Sequence, residues 1–206
     1  MIPVQYIIST EQKLSLLDHV ETALRAGCKW ISLRIEGEVN DKLTKTTKKI
    51  KEICREHDAT FMIEDNIDLV KNIDGDGVHI TSDTSLITVR QQIGEGFLIG
   101  ANASCAEDII TKKRQSADYI CCGPYQPANG QDCQQSGTIS SNEYKKIIDT
   151  IEANDTFVPV SAFGNINVCD VEDIINAGVR AITIYIPNKD ITKKEVESTL
   201  KAYLEL

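Results

Sequence analysis

The sequence predicts an α/β fold, a compact (β/α)8 TIM barrel, and three observations carry that prediction. Short, continuously apolar runs alternate with stretches whose apolar residues recur at helical spacing, as in a parallel sheet buried on both faces. The alternation repeats eight times at intervals of roughly 25 residues, which favours a closed barrel over an open sheet. Acidic, amide and hydroxyl side chains gather where the apolar runs stop, and in such folds the carboxyl ends of strands are where ligands bind.

The elements follow in order. Val4–Ile8 is the first strand. Leu17, Val20, Ala23 and Leu24 then recur at helical spacing, and Gly27 terminates that helix. Lys29–Ile35 is the second strand. Leu43, Ile50, Ile53 and Cys54 mark a helix with Asn40 or Asp41 as its cap. Thr60–Ile63 and Gly77–Ile80 are strands flanking a short helix that carries Ile67, Leu69, Val70 and Ile73. Leu86, Val89 and Ile93 form a helix closed by Gly94, and Phe97–Ala101 is the fifth strand. Ser104 and Glu107 have capping-box spacing ahead of Ile109 and Ile110. Tyr119–Cys122 is the sixth strand, with Cys121 and Cys122 on opposite faces. A helix carrying Tyr144, Ile147, Ile148 and Ile151 precedes the seventh strand, Val158–Ala162. Val171, Ile174 and Ile175 lie on a helix ended by Gly178; Ala181–Ile186 is the eighth strand, and Val196, Leu200 and Leu204 mark the last helix. Gly123–Gly137 is a polar stretch without periodicity, expected to be functional or to move in the unliganded protein.

Composition bounds the function. The 206 residues suit one domain, 1–206, and 41% hydrophobic with 26% charged is ordinary for a globular chain. A net charge of −9 and the lack of a basic block argue against general binding of nucleic acid or of an anionic membrane. The Lys-rich stretch Lys42–Lys51 reads as the solvated face of a helix. No apolar run approaches the ~20 residues of a membrane span. Seven cysteines without a CxxC pair read as free, mostly buried thiols in a reducing compartment. Met1–Ile8 lacks the basic start and long apolar core of a signal peptide, so the cytoplasm is expected.

The stretch Ala59–Thr84 holds the densest group of candidates. Its first strand stops at Glu64, Asp65 and Asn66; its second contains His79 and stops at Thr81, Ser82, Asp83 and Thr84. Asp65 is the first candidate ligand for a divalent cation, or alternatively a helix cap. His79 is either a site residue or a satisfied buried histidine. Arg34 can pair with Glu36 or Glu64. Reading the other strand ends adds Ser32, Asn102, Gly123–Pro124 and Gly164–Asn165.

The segments AGCKWISLR, ATFMIEDNIDLV, DGVHI, SADYICCGPY and VPVSAFGNI, in this order and spacing, resemble the thiamin phosphate synthase and TenI-like thiazole tautomerase barrels. The resemblance runs from Tyr6 to about Asn188. It implies an enzyme that joins a hydroxymethylpyrimidine pyrophosphate to a thiazole phosphate and releases pyrophosphate, with small phosphorylated pyrimidine and thiazole ligands and Mg²⁺ as cofactor. It implies that Arg34 contacts pyrophosphate and that Asp65 binds Mg²⁺, making these the two catalytic positions, with Asp83 as a second metal residue. It places His79 near the pyrimidine, Gly123 in a Gly-Pro turn, Gly164 and Asn165 in a phosphate-binding turn, and Ser32 and Asn102 among the substrate contacts. A homo-oligomer is left open.

Several positions depart from the family pattern. Ser32 and Glu36 stand where it has Gln and Lys beside the arginine, and Glu64 where it has Asn. Its second Mg²⁺ aspartate falls on Thr84, one residue from Asp83, and its pyrophosphate-contacting serine on Asn102. A Thr/Lys-rich loop is Ala128, Asn129, Gly130 and Gln131 here, the second glycine of the phosphate turn is Asn165, and a serine of the eighth strand falls near Ile186. The tautomerase histidine falls on Pro124, which does no acid–base work. These changes remove positive charge, so metal binding without a phosphate ligand is expected to be weak. The alternative is a divergent, catalytically weak or inactive paralogue acting as a thiamin-related ligand-binding or regulatory protein. Lys189 is the cation expected near the site; Lys112, Lys113 and Arg114 are expected to stay away on a helix.

Overall fold

The strands are continuously apolar because each has one side against helices and one inside a closed cylinder. In the computed structural model, which describes residues 2–126 and 137–206, the strands are β1 Val4–Ser9, β2 Trp30–Arg34, β3 Thr60–Glu64, β4 Gly77–Ile80, β5 Leu98–Ala103, β6 Tyr119–Tyr125, β7 Val160–Gly164 and β8 Ala181–Tyr185. The helices are α1 Leu16–Arg25, α2 Asp41–Glu56, α3 Ile67–Ile73, α4 Leu86–Ile93, α5 Ala106–Arg114, α6 Ser141–Ala153, α7 Val171–Asn176 and α8 Lys193–Leu204. All neighbouring strands are parallel, and β1 pairs with β8 to close the barrel.

Period-two alternation splits the interior in two. Tyr6, Ile8, Ile31, Leu33, Ile63 and Cys122 point outward into the apolar layer beneath the helices. Met62, Tyr119 and Cys121 point inward with Trp30 and Phe163. Cys121 and Cys122 therefore do face opposite ways. Burial pushes both thiols up to about 12, so neither supplies a thiolate at neutral pH. Of the six cysteines among the described residues, Cys28 and Cys54 are also buried, Cys105 is half-buried and Cys169 exposed.

Local chemistry sets the helix starts. Ser15, Asn40 and Asn66 each accept a hydrogen bond from a first-turn amide. Reciprocal capping boxes form at Ser140/Glu143 and Thr192/Glu195. The box expected at Ser104/Glu107 does not form. β5 stays extended to Ala103, two residues further than its apolar run, and the cap position of α5 falls on Cys105. That one-residue shift puts Glu107 out of capping register. β6 likewise continues through Gly123 and Pro124 to Tyr125, and β7 begins at Val160 and reaches Gly164. Of the expected loop Gly123–Gly137, the first three residues are thus strand, Gln126 donates to the Ile139 carbonyl at 3.1 Å, and 127–136, with the predicted Ala128–Gln131 positions, lie outside the described residues.

His19 sits on α1 fully buried against β1. Its Nδ1 lies 3.0 Å from the Tyr6 hydroxyl, and Nε2 has no partner among the described residues. Burial lowers its pKa to about 4. The unfolded chain takes up this proton below about 6.5, so the unfolded state binds more protons between those values. Stability should therefore fall as pH drops from 6.5 to 4, and His79, held neutral by burial, adds in the same direction. Urea midpoints across this range should fall less steeply in His19→Gln than in the unaltered chain; equal slopes would assign the fall elsewhere.

Candidate functional site

Beside the inward apolar cluster, several inward-facing residues of the barrel are polar, which an apolar strand pattern does not suggest. Gln5 is the hub. Its Nε2 donates to Ser32 Oγ at 2.7 Å and to Tyr119 Oη at 3.2 Å. Its Oε1 accepts from Thr183 Oγ1 at 2.8 Å and from Cys121 Sγ at 3.3 Å. Thr183 and Ser161 pair through their hydroxyls at 2.7 Å. Every member has a partner, the condition under which buried polar groups are tolerated.

This layer orients His79. Its Nε2 is 2.9 Å from Asn102 Oδ1 and its Nδ1 is 2.9 Å from Tyr119 Oη. An amide oxygen only accepts, so Nε2 carries the proton, and Nδ1 accepts from the tyrosine hydroxyl. Burial lowers the His79 pKa and raises that of Tyr119, which keeps both neutral. His79 is thus both a satisfied buried histidine and a wall of the site.

Above that layer, at the carboxyl ends of the strands, a cavity of about 40 Å³ is bounded by Arg34, Glu64, His79, Thr81, Asn102 and Phe163. That is close to the ~30 Å³ share of one water molecule. Arg34 lies half-exposed at the end of β2. Its Nε donates to Glu64 Oε2 at 2.6 Å and its Nη2 to Oε1 at 3.3 Å. On its other side the guanidinium carbon stands 5.0 Å from the Tyr185 ring centroid. Glu64 is buried, its side chain only 5% exposed. Arg34 therefore pairs with Glu64, not Glu36, because β2 and β3 run in register (Leu33 opposite Ile63) and put both side chains inward at one level.

Asp65 follows β3 and is exposed at the rim. Its Oδ1 accepts from the Thr81 amide at 2.9 Å and its Oδ2 from the Thr81 hydroxyl. The helix cap next to it is Asn66, accepting from the Leu69 amide at 2.8 Å. Asp83 is exposed in the loop before α4. No three His, Cys, Asp or Glu side chains converge as a metal cluster among the described residues. Each Asp65 oxygen keeps a lone pair, so Asp65 could offer oxygen ligands to a hard cation whose remaining ligands come from elsewhere.

The structure brings Arg34, His79 and Asn102 to one cavity and leaves Asp65 and Asp83 on the rim. Ser32 lies one layer deeper, fully buried. Gly123 and Gly164 approach across β6 and β7. A Cβ on Gly164 would stand 2.4 Å from the Tyr125 nitrogen, and its φ of +132° is closed to other residues. The Asn165 amide already donates to the Tyr125 carbonyl at 3.0 Å, so a phosphate there competes with an internal partner. Lys189 is beside the mouth but bound to Glu11 at 2.8 Å. Lys112 departs from expectation: its Nζ reaches the Asn102 carbonyl from α5 while holding Asp108 at 3.1 Å. Gln5, Tyr119 and Thr183 were not among the predicted site residues. Their signal was a lone polar residue on the inward parity of an apolar strand.

Comparison with known proteins bears on the family and the fold. A curated thiamine-phosphate synthase from Flavobacterium psychrophilum is 30% identical over 181 residues, covering 87% of this chain and 87% of that protein. One from Phocaeicola vulgatus is 29% identical over 184 residues, covering 89% and 88%. The solved thiamine phosphate pyrophosphorylase of Pyrococcus furiosus superposes with a TM-score of 0.81 at 23% identity, over 98% of this chain and 94% of that one, which supports the fold. The family model described as thiamine monophosphate synthase matches residues 5–185, from the Gln5 hub on β1 to the Tyr185 ring on β8. With the family model matching most of the chain and a curated relative 30% identical across 87% of it, this chain belongs to the thiamine monophosphate synthase family.

Proposed function

We propose that this protein is a thiamin phosphate synthase, a transferase that joins a hydroxymethylpyrimidine pyrophosphate to a thiazole phosphate. The convergence of Arg34, His79 and Asn102 on one cavity, with Asp65 on its rim, carries the reading in a chain of this family. In the reaction the bond from the pyrimidine methylene to the pyrophosphate oxygen breaks, and the thiazole nitrogen forms the new C–N bond. The oxygen keeps the electron pair and pyrophosphate leaves. Such dissociative chemistry asks the protein to orient reactants and to stabilise the departing charge.

The residues fit those tasks. Arg34 retains N–H donors not directed at Glu64 and meets the leaving group. His79, fixed as the Nε2–H tautomer, holds Asn102 so that the Asn102 amide nitrogen is a donor to the pyrimidine. Gly164 admits close backbone approach by the thiazole phosphate. Asp65, with Asp83 nearby in sequence, would hold Mg²⁺, which when bound offsets charge on the pyrophosphate. The buried thiols fit a reducing compartment such as the cytoplasm, and no helix of the described residues is long and apolar enough to cross a membrane.

Asp65→Asn tests the assignment. Product formation from the two substrates should fall about 10²-fold and need more Mg²⁺ to saturate. An unchanged rate and metal requirement would remove Asp65 from the site. The rival reading, a binding protein with little turnover, draws on the neutralised Arg34; it gains if the chain binds thiamin phosphate tightly yet forms none.

A further inference from the structure

Among the described residues Arg34 is the one cation lining the cavity, and its charge is already answered by the chain itself. Glu64 takes two of its donors, at 2.6 and 3.3 Å. No other hydrogen-bond donor contacts the Glu64 carboxylate among the described contacts, and its side chain is 5% exposed against 34% for Arg34. Lys189 is paired in the same way with Glu11 at 2.8 Å. The remaining charged groups close to Arg34 and Lys189 include Glu36, another carboxylate.

We propose that Glu64 is a specificity-determining residue that makes the mouth reject a bare polyphosphate and accept one whose charge is already offset by a divalent cation. This rests on the synthase reading, in which Arg34 meets pyrophosphate. A metal-free pyrophosphate at Arg34 must either lie beside the buried Glu64 anion or take the donors that Glu64 uses. The first juxtaposes like charges in a poorly screened site, and the second strands a buried carboxylate without its counter-charge. A pyrophosphate–Mg²⁺ complex carries less negative charge and meets less of either penalty. Glu64 thereby acts through Arg34 on the charge state of the ligand and touches no reacting bond.

The test is pyrophosphate binding by calorimetry, with and without Mg²⁺, in the unaltered chain, Glu64→Gln, Glu64→Asn and Glu64→Gln/Arg34→Gln. Glu64→Gln keeps the shape and one acceptor for Arg34; Glu64→Asn supplies a second neutral variant if the first folds poorly. The expected result is that removing the Glu64 charge tightens metal-free pyrophosphate binding about tenfold or more. The Mg²⁺ enhancement should shrink by a similar factor, and the gain should vanish when Arg34 is also replaced. Neutral variants that bind metal-free pyrophosphate no better than the unaltered chain overturn the proposal. Turnover separates the two readings. Normal product formation without the gain defeats this inference alone. The gain with no product from any variant defeats the synthase reading alone.

Discussion

Arg34→Ala is expected to lose about 3 kcal/mol of stability and about 10²–10³ in kcat/KM, and the two losses should come apart. The stability loss is at the low end of what breaking a buried ion pair brings, because Arg34 is half-exposed while Glu64 stays behind, nearly inaccessible to water, with its charge unanswered. The rate loss is that of one preorganised donor to a departing anion. Adding Glu64→Gln removes the stranded charge. The double variant should therefore regain most of the stability while its rate stays low. Chemical denaturation and steady-state kinetics on the four members of the cycle measure both. If the rate recovered together with the stability, Arg34 would be a structural partner only and its role toward pyrophosphate would fall.

Gly100→Ala is expected to be comparably damaging although Gly100 does not line the cavity. A Cβ there would stand 2.1 Å from Tyr119 Cζ and 2.4 Å from its hydroxyl oxygen. Tyr119 cannot retreat. Trp30 packs edge-on against its ring at 4.7 Å, and its hydroxyl is tied to His79 at 2.9 Å and Gln5 at 3.2 Å. The substitution should cost about 3 kcal/mol, the upper end for overpacking. It should also weaken pyrimidine-side binding by releasing His79 from its tautomer. Gly100→Ala with Tyr119→Ala should cost less than the sum of the two single changes, because the second removes what the first strikes. Strict additivity would mean that the methyl is accommodated elsewhere.

Much of the barrel is legible in the sequence because each strand announces itself through an apolar run and each helix through its spacing. The strand ends are less so. β5, β6 and β7 reach two or three residues beyond their apolar runs. There Asn102, Gly123, Pro124 and Gly164 lie within the strands, Gly123 and Pro124 at a shift in the β6–β7 register, without contributing to the apolar signal. The positions of Arg34, His79 and Asn102 follow from the strand ends together with the family resemblance. What they bond does not. Gln5 meets Ser32, Tyr119 and Thr183 across 27, 114 and 178 positions of sequence, and the last two contacts exist only once β1 closes on β8. The choice of Glu64 over Glu36 needed the β2–β3 register. Lys112 reached Asn102 because α5 packs antiparallel on its own strand, which a helical face pattern does not place along the axis.

The synthase assignment is tested most directly by phosphorus NMR of the purified chain with both substrates and Mg²⁺. The account predicts that the substrate pyrophosphate signals give way to free pyrophosphate and thiamin phosphate in equal amounts, only when both substrates are present. No thiamin phosphate after prolonged incubation at high enzyme concentration, or pyrophosphate release that does not need the thiazole phosphate, would contradict it.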